Sequence, residues 1–206
     1  MSYYGNEYER RTLMNIEALY FQKYFYFKHL NQSSSEHRVT YWVKLSRDIE
    51  LHRLMYALLD VVQNQPVLRT QFVTDDFNQL KINLRDFFPF IEIKEVNEMS
   101  QSIDLEAFFT RNLNSYHFNQ LPLFNFKIYQ FLDGAYLLLD FHATIFNESQ
   151  LTPFLQQLNI AYTHSLKSEY SISDFYNWIK EMNQKMDQNQ VVCPSNHFNV
   201  LNAGGD

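Results

Sequence analysis

Residues 137–151, with the sequence LLLDFHATIFNESQL, combine an apolar run, a single histidine and a polar segment. His142 follows the apolar run directly, so a strand that ends there would present the imidazole at the edge of a sheet. An imidazole has an unperturbed pKa of about 6.5, which suits a general base near neutral pH. Buried polar groups in proteins, however, are mostly engaged in hydrogen bonds that hold the fold together. The sequence therefore leaves two roles open for His142, a catalytic base or a structural group.

For other residues with polar or reactive side chains, a functional role is also weighed against a structural one. Asn147 and Ser149 precede a helical pattern, so they either cap that helix or point hydrogen-bond donors at an acyl carbonyl. Arg69 follows two apolar residues, which predicts that it is a buried or half-buried ion-pair partner. Cys193 and His197 lie close together in CPSNH, but such a pair acts as a nucleophile only when a fold brings both groups within hydrogen-bond distance.

No metal ion or cofactor is expected from the sequence. The remaining histidines lack the spacing of metal-ligand motifs, and we predict surface or packing positions for His29, His37, His52, His117 and His164. The chain has 4 glycines, and no Gly-rich loop that would cradle a phosphate is present.

The elements that must position these residues alternate between helical and extended patterns. Helices are predicted over residues 12–29, from Asp48 as N-cap to Gln63, from Asp104 to Ser115, from Thr152-Pro153 onwards, and over 173–187. Strands are predicted over residues 39–45, 65–73, 79–84, 90–96, 123–131 and 135–141. This alternation predicts an α/β (α+β) fold in which helices pack on one mixed sheet of about five strands.

The last two predicted strands give the clearest hairpin signal in the chain. Asp133-Gly134 separates two apolar runs. This dipeptide is typical of a type I′ turn, because both central residues of that turn need positive φ. The hairpin would place His142 at the end of its second strand.

Composition and charge exclude several classes of function. The net charge is −6 and the 17 basic residues are scattered, whereas nucleic-acid binding depends on clustered Lys and Arg. No apolar run reaches the roughly 18 residues of a membrane span, and the N-terminus does not resemble a secretion signal. The single cysteine suits a reducing cytosol. We therefore expect a cytoplasmic protein with one domain over residues 1–187 and a loose tail over 188–206.

The first predicted helix is unusually aromatic, with YFQKYFYF at residues 20–27. A helix that is apolar on several sides must be buried on several sides, or it exposes a patch that marks an interface. We therefore expect this helix to meet a partner.

Four stretches occur in an order that is similar to a known family. They are LHRLMYALLDVVQNQPVLRTQF, FNQLPLFNFKIYQFLDGAYLLLDFH, ESQLTPFLQQLNIAYT and ISDFYNWIKE. Together they resemble, over roughly residues 10–185, the N-terminal lobe of the condensation domains of nonribosomal peptide synthetases. The resemblance implies one lobe of a chloramphenicol-acetyltransferase-like fold. In that family the active site lies in a tunnel between two lobes, and no stretch of this sequence resembles the second lobe.

The central motif of that family is His-His-x-x-x-Asp-Gly, and this sequence departs from it. In the register without a gap, His142 matches the first His, Ala143 the second, Asn147 the Asp and Glu148 the Gly. In the family the second His lies beside the attacking amine, while the first points into the structure and holds the loop. Ala143 has no titratable group, and Asn147 lacks the charge for an ion pair with Arg69. Glu148 replaces a glycine that permits tight backbone geometry.

The resemblance implies a degenerate condensation-domain-like N-lobe of a nonribosomal peptide or hybrid polyketide assembly line for secondary metabolites. Such a lobe would bind, dock or scaffold rather than form amide bonds alone. The alternative is one half of a split or truncated acyltransferase that condenses carrier-bound thioesters, with His142 as base. An adaptor unrelated to peptide synthesis is a third reading.

Partners follow from the same resemblance. They are a carrier protein or neighbouring synthetase domain, a C-terminal lobe, or a second copy of the chain. No cofactor would be bound directly, although a carrier's phosphopantetheine arm would be within reach. The substrate and the oligomeric state are not fixed by the sequence.

Overall fold

The computed structural model of the protein describes residues 16–31, 37–118, 120–164 and 172–187. Its strands are β1 Ile16–Glu17, β2 Arg38–Lys44, β3 Thr70–Thr74, β4 Leu80–Leu84, β5 Glu92–Val96, β6 Phe124–Phe131 and β7 Gly134–His142. Its helices are α1 Tyr20–Asn31, α2 Leu51–Asn64, α3 Leu105–Arg111, α4 Leu151–Thr163 and α5 Ile172–Asp187. Short 3-10 helices at Pro66–Arg69, Ser100–Ser102 and Glu148–Gln150 connect some of these elements.

The strands form two sheets rather than one. A small antiparallel sheet has the order β1-β4-β3, and a larger sheet has the order β2-β7-β6-β5. In the larger sheet β5 is parallel to β6, and the other pairs are antiparallel. The predicted α/β (α+β) class is confirmed, but the single sheet of about five strands is wrong. Sequence patterns define the strands, whereas the partner of each strand depends on long-range contacts that local patterns do not encode.

The central strands of the larger sheet, β6 and β7, are buried on both faces. On one face, Leu139 and Phe141 belong to the main core, which also contains side chains of α2 and α4. On the other face, Leu138 packs in a second cluster with Phe109 of α3. A strand that is covered on both faces carries apolar residues at consecutive positions. This burial accounts for the run of three leucines at residues 137–139.

Helix α2 has the predicted apolar stripe but not the predicted cap. Its buried residues recur at helical spacing: Leu54, Ala57, Leu58, Val61 and Val62. Glu50 occupies the N-cap position and makes no capping hydrogen bond through its side chain. Asp48 instead accepts a hydrogen bond from Ser46 Oγ in the preceding turn, where the Ile49 N–H donates to the Ser46 carbonyl at 3.2 Å. The prediction of Asp48 as N-cap is therefore wrong, because this turn holds its carboxylate ahead of the helix.

The hairpin between β6 and β7 is present, but its turn is not of type I′. Its central residues are Leu132 and Asp133, because Gly134 already belongs to β7. Among the described residues, Asn78 is the only non-glycine residue with positive φ, so neither central residue has the conformation that type I′ requires. The Asp133 carboxylate instead accepts hydrogen bonds from Ser100 N at 2.7 Å and Ser100 Oγ at 2.8 Å. These bonds fix the turn against a neighbouring segment.

Two predicted boundaries move in the first half of the chain. Ile16 and Glu17 pair with β4 as a strand, so the first helix begins at Tyr20. The strand predicted from residue 65 begins at Thr70, because Pro66–Arg69 forms a 3-10 helix. Proline fixes φ near −65°, a value that helical turns share and extended strands do not.

Boundaries in the second half are closer to the prediction. The predicted helix from Asp104 begins at Leu105, with Asp104 as its N-cap accepting from Ala107 N at 3.1 Å, but it ends at Arg111 rather than Ser115. Helix α4 begins at Leu151, one residue before the predicted Thr152-Pro153 start. Within the residues described above, no helix has both the length and the apolar character needed to cross a membrane.

The packing of α2 on the main core can be tested with Leu58→Ala. Leu58 is fully buried, so the truncation should lower the free energy of unfolding by about 2–5 kcal/mol through lost contacts and a residual cavity. Urea denaturation at neutral pH measures the change. Tyr56→Ala on the exposed side of the same helix is the matched control, with an expected change within about 0.5 kcal/mol. Equal losses for the two variants would contradict the orientation of α2.

Candidate functional site

His142 lies inside the protein at the end of β7. Its side chain has no solvent exposure, and it is paired across the sheet with Arg38 of β2. Its Nδ1 accepts a hydrogen bond from the Thr144 N–H at 3.2 Å and lies 2.8 Å from Thr144 Oγ1. Because an amide N–H can only donate, Nδ1 is unprotonated, and the neutral ring carries its proton on Nε2. That nitrogen has no hydrogen-bond partner within the described residues.

Aromatic rings enclose the His142 imidazole. The ring centroid lies 4.7 Å from that of Phe118, 5.7 Å from Tyr116, 5.2 Å from His29 and 6.4 Å from His37. Burial lowers the pKa of His142 to about 3, with further contributions from nearby His29, His37 and Arg38. The imidazole is therefore neutral across the physiological range. A general base works best with a pKa near the operating pH, and this group is far from it.

The residue after His142 contributes only a methyl group. Ala143 is 6% exposed and packs in the main core. Its N–H donates to the His37 carbonyl at 2.9 Å, and the Ile145 N–H donates to the His142 carbonyl at 3.0 Å. The first bond joins the chain to the residue before β2, and the second closes a turn directly after β7. The position that matches the second motif histidine therefore offers no proton acceptor.

Asn147 acts as a helix cap. Its Oδ1 accepts from Ser149 N at 3.0 Å and from Ser149 Oγ at 2.6 Å, while its own N–H donates to Gln150 Oε1 at 2.8 Å. These bonds close a capping box at the 3-10 helix that leads into α4. The capping interpretation is confirmed for Asn147, whereas Ser149 donates to the cap instead of forming one. Glu148 is exposed and has no positive φ, so its backbone does not need glycine.

Arg69 forms an ion pair away from the motif loop. It is 7% exposed, and its Nη1 lies 2.8 Å from Asp86 Oδ1. The prediction of Arg69 as a buried ion-pair partner is confirmed, and the Asp86 side chain of the pair is 78% exposed. Asp86 supplies the acceptor that neutral Asn147 does not.

The sequence interpretation missed a buried carboxylate two residues before His142. Asp140 has no solvent exposure and accepts hydrogen bonds from Arg38 Nη1 at 2.7 Å, Thr40 Oγ1 at 2.9 Å and Tyr116 Oη at 2.6 Å. Burial raises the pKa of Asp140, and the Arg38 guanidinium opposes this effect by favouring the charged form. The same burial raises the pKa of Tyr116 well above its ordinary value. The sequence did contain a signal for this site, an aspartate inside the apolar run LLLDF. A charged residue buried in such a run needs hydrogen-bond or ion-pair partners.

The other predicted histidines divide into two groups. His29 and His37 are packing residues beside His142. The exposed ones are His52, His117 and His164. In the part of the chain that the structure describes, no group of His, Cys, Asp and Glu side chains is placed to hold a metal ion. Cys193 and His197 lie outside the described residues.

The burial of neutral His142 predicts acid sensitivity of the fold. An unfolded histidine titrates near pH 6.5 and the folded one at about 3, so the unfolded state binds more protons between these values. The stabilisation is fully present above about pH 6.5 and is lost as the pH falls towards 3. Urea unfolding should show a loss of about 1.4 kcal/mol per pH unit between about pH 6 and pH 4.

His142→Asn separates this contribution from that of other groups. An Asn Oδ1 can accept from Thr144 as Nδ1 does, but it does not titrate, so stability should depend less steeply on pH. His52→Gln removes an exposed histidine and should leave the slope unchanged. An unchanged slope in His142→Asn would show that other groups cause the acid sensitivity.

Removal of the Arg38 cation should destabilise the protein strongly. Arg38→Met leaves the Asp140 carboxylate buried without its ion-pair partner, at an expected cost of about 3–5 kcal/mol in the free energy of unfolding. Lys23→Met is the matched control, because the Lys23–Glu17 pair is exposed and worth at most about 1 kcal/mol. Similar losses in the two variants would contradict a structural role for the buried pair.

Comparisons with known proteins agree with this architecture. The chain matches the model of the Condensation domain family over residues 16–194. The starter condensation domain of the rhizomide synthetase RzmA is similar in structure, with a TM-score of 0.68 and 12% identity over 87% of this chain and 44% of that chain. The first condensation domain of the CDA synthetase gives a TM-score of 0.70 and 10% identity over 84% of this chain and 46% of that chain. No curated protein matches the sequence.

The shared part is one half of a larger architecture. The chain spans less than half the length of these two solved structures. At such low identity the structural likeness shows the fold, and it confirms the predicted chloramphenicol-acetyltransferase-like lobe. The family model covers most of the sequence. The chain therefore belongs to the Condensation domain family.

Proposed function

We propose that this condensation-domain-like lobe binds or docks components of a nonribosomal peptide assembly line and does not form amide bonds by itself. The observation that carries the proposal is the state of the motif loop. His142 is fully buried with a pKa of about 3, and Ala143 supplies a buried methyl group. A general base must reach the proton that it abstracts and must have a pKa near the working pH. Neither motif position meets both conditions.

The alternative, a split acyltransferase with His142 as base, has less support from these surroundings. The Nδ1 atom already accepts from the Thr144 N–H. Phe118 and Tyr116 pack against the ring on the segment that follows α3. That segment would have to move before an amine could approach His142.

The first helix supplies a surface suited to docking. Tyr20, Tyr24 and Phe27 are 60%, 48% and 47% exposed, and their spacing places them on one face of α1. The opposite side, with Phe21 and Phe25, packs against the main core. Aromatic side chains are enriched in protein interfaces, where they supply much of the binding energy. We assign this face of α1 to a carrier protein, whose phosphopantetheine arm carries the substrate in such assembly lines.

Docking can be tested by titrating the purified chain with a phosphopantetheinylated carrier protein of the same assembly line in a calorimeter. Tyr24→Ser combined with Phe27→Ser should weaken binding at least about tenfold, because both rings lose contact area. Tyr56→Ser, at another exposed tyrosine on α2, is the control and should leave the affinity unchanged. No binding by the wild-type chain, or equal affinity of all variants, would overturn the docking surface.

Turnover is tested separately with donor and acceptor carriers loaded with aminoacyl groups. The chain alone should give no amide product by mass spectrometry. Product that forms with the wild-type chain and disappears with His142→Ala would overturn the proposal and establish the enzyme alternative. A product that persists in His142→Ala would overturn the proposal and also exclude His142 as the base.

A further inference from the structure

A cavity of about 460 Å³ lies beside the larger sheet, outside the motif loop. Its floor is formed by the first half of β6 and the start of β5, and its wall by residues 114–117 and 120–122. Tyr116 lines this wall and donates through its hydroxyl to Asp140, so the cavity adjoins the buried ion pair. Helix α1, which carries the proposed docking face, does not contribute to the lining that the structure describes.

Three polar side chains of the floor provide donors and an acceptor. Asn125 has a buried Nδ2 with no hydrogen-bond partner among the described residues. Lys127 Nζ donates to the Asn112 carbonyl at 2.9 Å and to Asn114 Oδ1 at 3.2 Å, which engages two of its three N–H groups. Glu92 is directly paired with Lys127 on the neighbouring strand and adds a carboxylate acceptor.

The charges of the cavity are balanced. Glu92 and Lys127 are the acidic and the basic side chain of the described lining, and burial lowers the pKa of Lys127 while Glu92 opposes the shift. An anionic ligand would be attracted by Lys127 and repelled by Glu92, and a cationic one the reverse, so neither sign of charge gains a clear net attraction. Ions must also be desolvated on entry, at a greater cost than neutral dipoles. An uncharged polar group is therefore favoured.

The rest of the lining is mixed: Asn114, Ser115, Tyr116, His117 and Gln120 are polar, and Phe90, Leu121, Pro122, Phe124 and Phe126 are apolar. Phe90 is 89% exposed at the rim, and Leu121 and Pro122 form part of the wall. A carboxamide offers a carbonyl acceptor and an N–H donor in one plane, which matches the donors of Asn125 and Lys127 and the acceptor of Glu92. We propose that this cavity binds a small uncharged carboxamide, with its polar group on the β5–β6 floor and its apolar part against Phe90 and Pro122.

Benzamide is a suitable probe, and benzoate and benzylamine are its charged analogues of similar shape. Ligand-observed NMR with the full chain should show benzamide binding with a Kd of about 1 mM, and each charged analogue at least about tenfold more weakly. Asn125→Leu should weaken benzamide binding about fivefold or more, because it removes a buried donor. Comparable binding of all three probes, or no benzamide binding at about 10 mM, would overturn the proposal.

Glu92→Gln provides a readout that misfolding cannot imitate. Without the glutamate charge, Lys127 leaves the cavity cationic, so benzoate should bind at least as tightly as benzamide. Glu95→Gln, an exposed position of the same strand outside the lining, should keep the original preference. An unchanged preference for benzamide in Glu92→Gln would place the probe elsewhere and overturn the proposal. None of these measurements depends on carrier binding or on amide formation.

Discussion

A buried carboxylate links three segments that are distant in the sequence. Asp140 lies in the central strand β7 without solvent exposure, and its hydrogen-bond donors are Arg38 and Thr40 of β2 and Tyr116 of the segment after α3. A carboxylate in this environment is tolerated only when charge and hydrogen bonds compensate its desolvation. The burial of Asp140 in β7 therefore requires two neighbours: strand β2, and the segment after α3 that carries Tyr116.

The same arrangement determines the state of His142. Arg38 is paired across the sheet with His142, and the segment that brings Tyr116 to Asp140 also brings Phe118 against the imidazole. A histidine enclosed in this way stays neutral and contributes to packing. The fold can persist at 10–13% identity because core packing depends on volume and apolar pattern. Acid–base chemistry depends on particular atoms, and the buried methyl group of Ala143 fits the core while offering no titratable group.

Local sequence patterns were sufficient to predict an element of the fold where one physical signal dominated. The stripe of α2 and the two long strands of the hairpin were predicted nearly to their ends, because helical periodicity and consecutive buried positions are strong signals. Asn147 was recognised as a cap because an N-cap forms hydrogen bonds within a few residues of itself. The prediction of Asp48 as N-cap failed because its carboxylate accepts from Ser46 ahead of the helix. The type I′ prediction failed because the strand register makes Leu132 and Asp133 the central residues of the turn.

The sequence by itself determined the fold class, the central hairpin and the departure of the motif at Ala143, because these follow from residue types and short-range order. Tertiary structure alone decided which strands pair outside that hairpin, that Arg69 meets Asp86, and that Phe118 and Tyr116 enclose His142. Each of these facts joins residues far apart in the chain. Burial and partners set a pKa or the cost of a charge, and they exist only after distant segments have packed together.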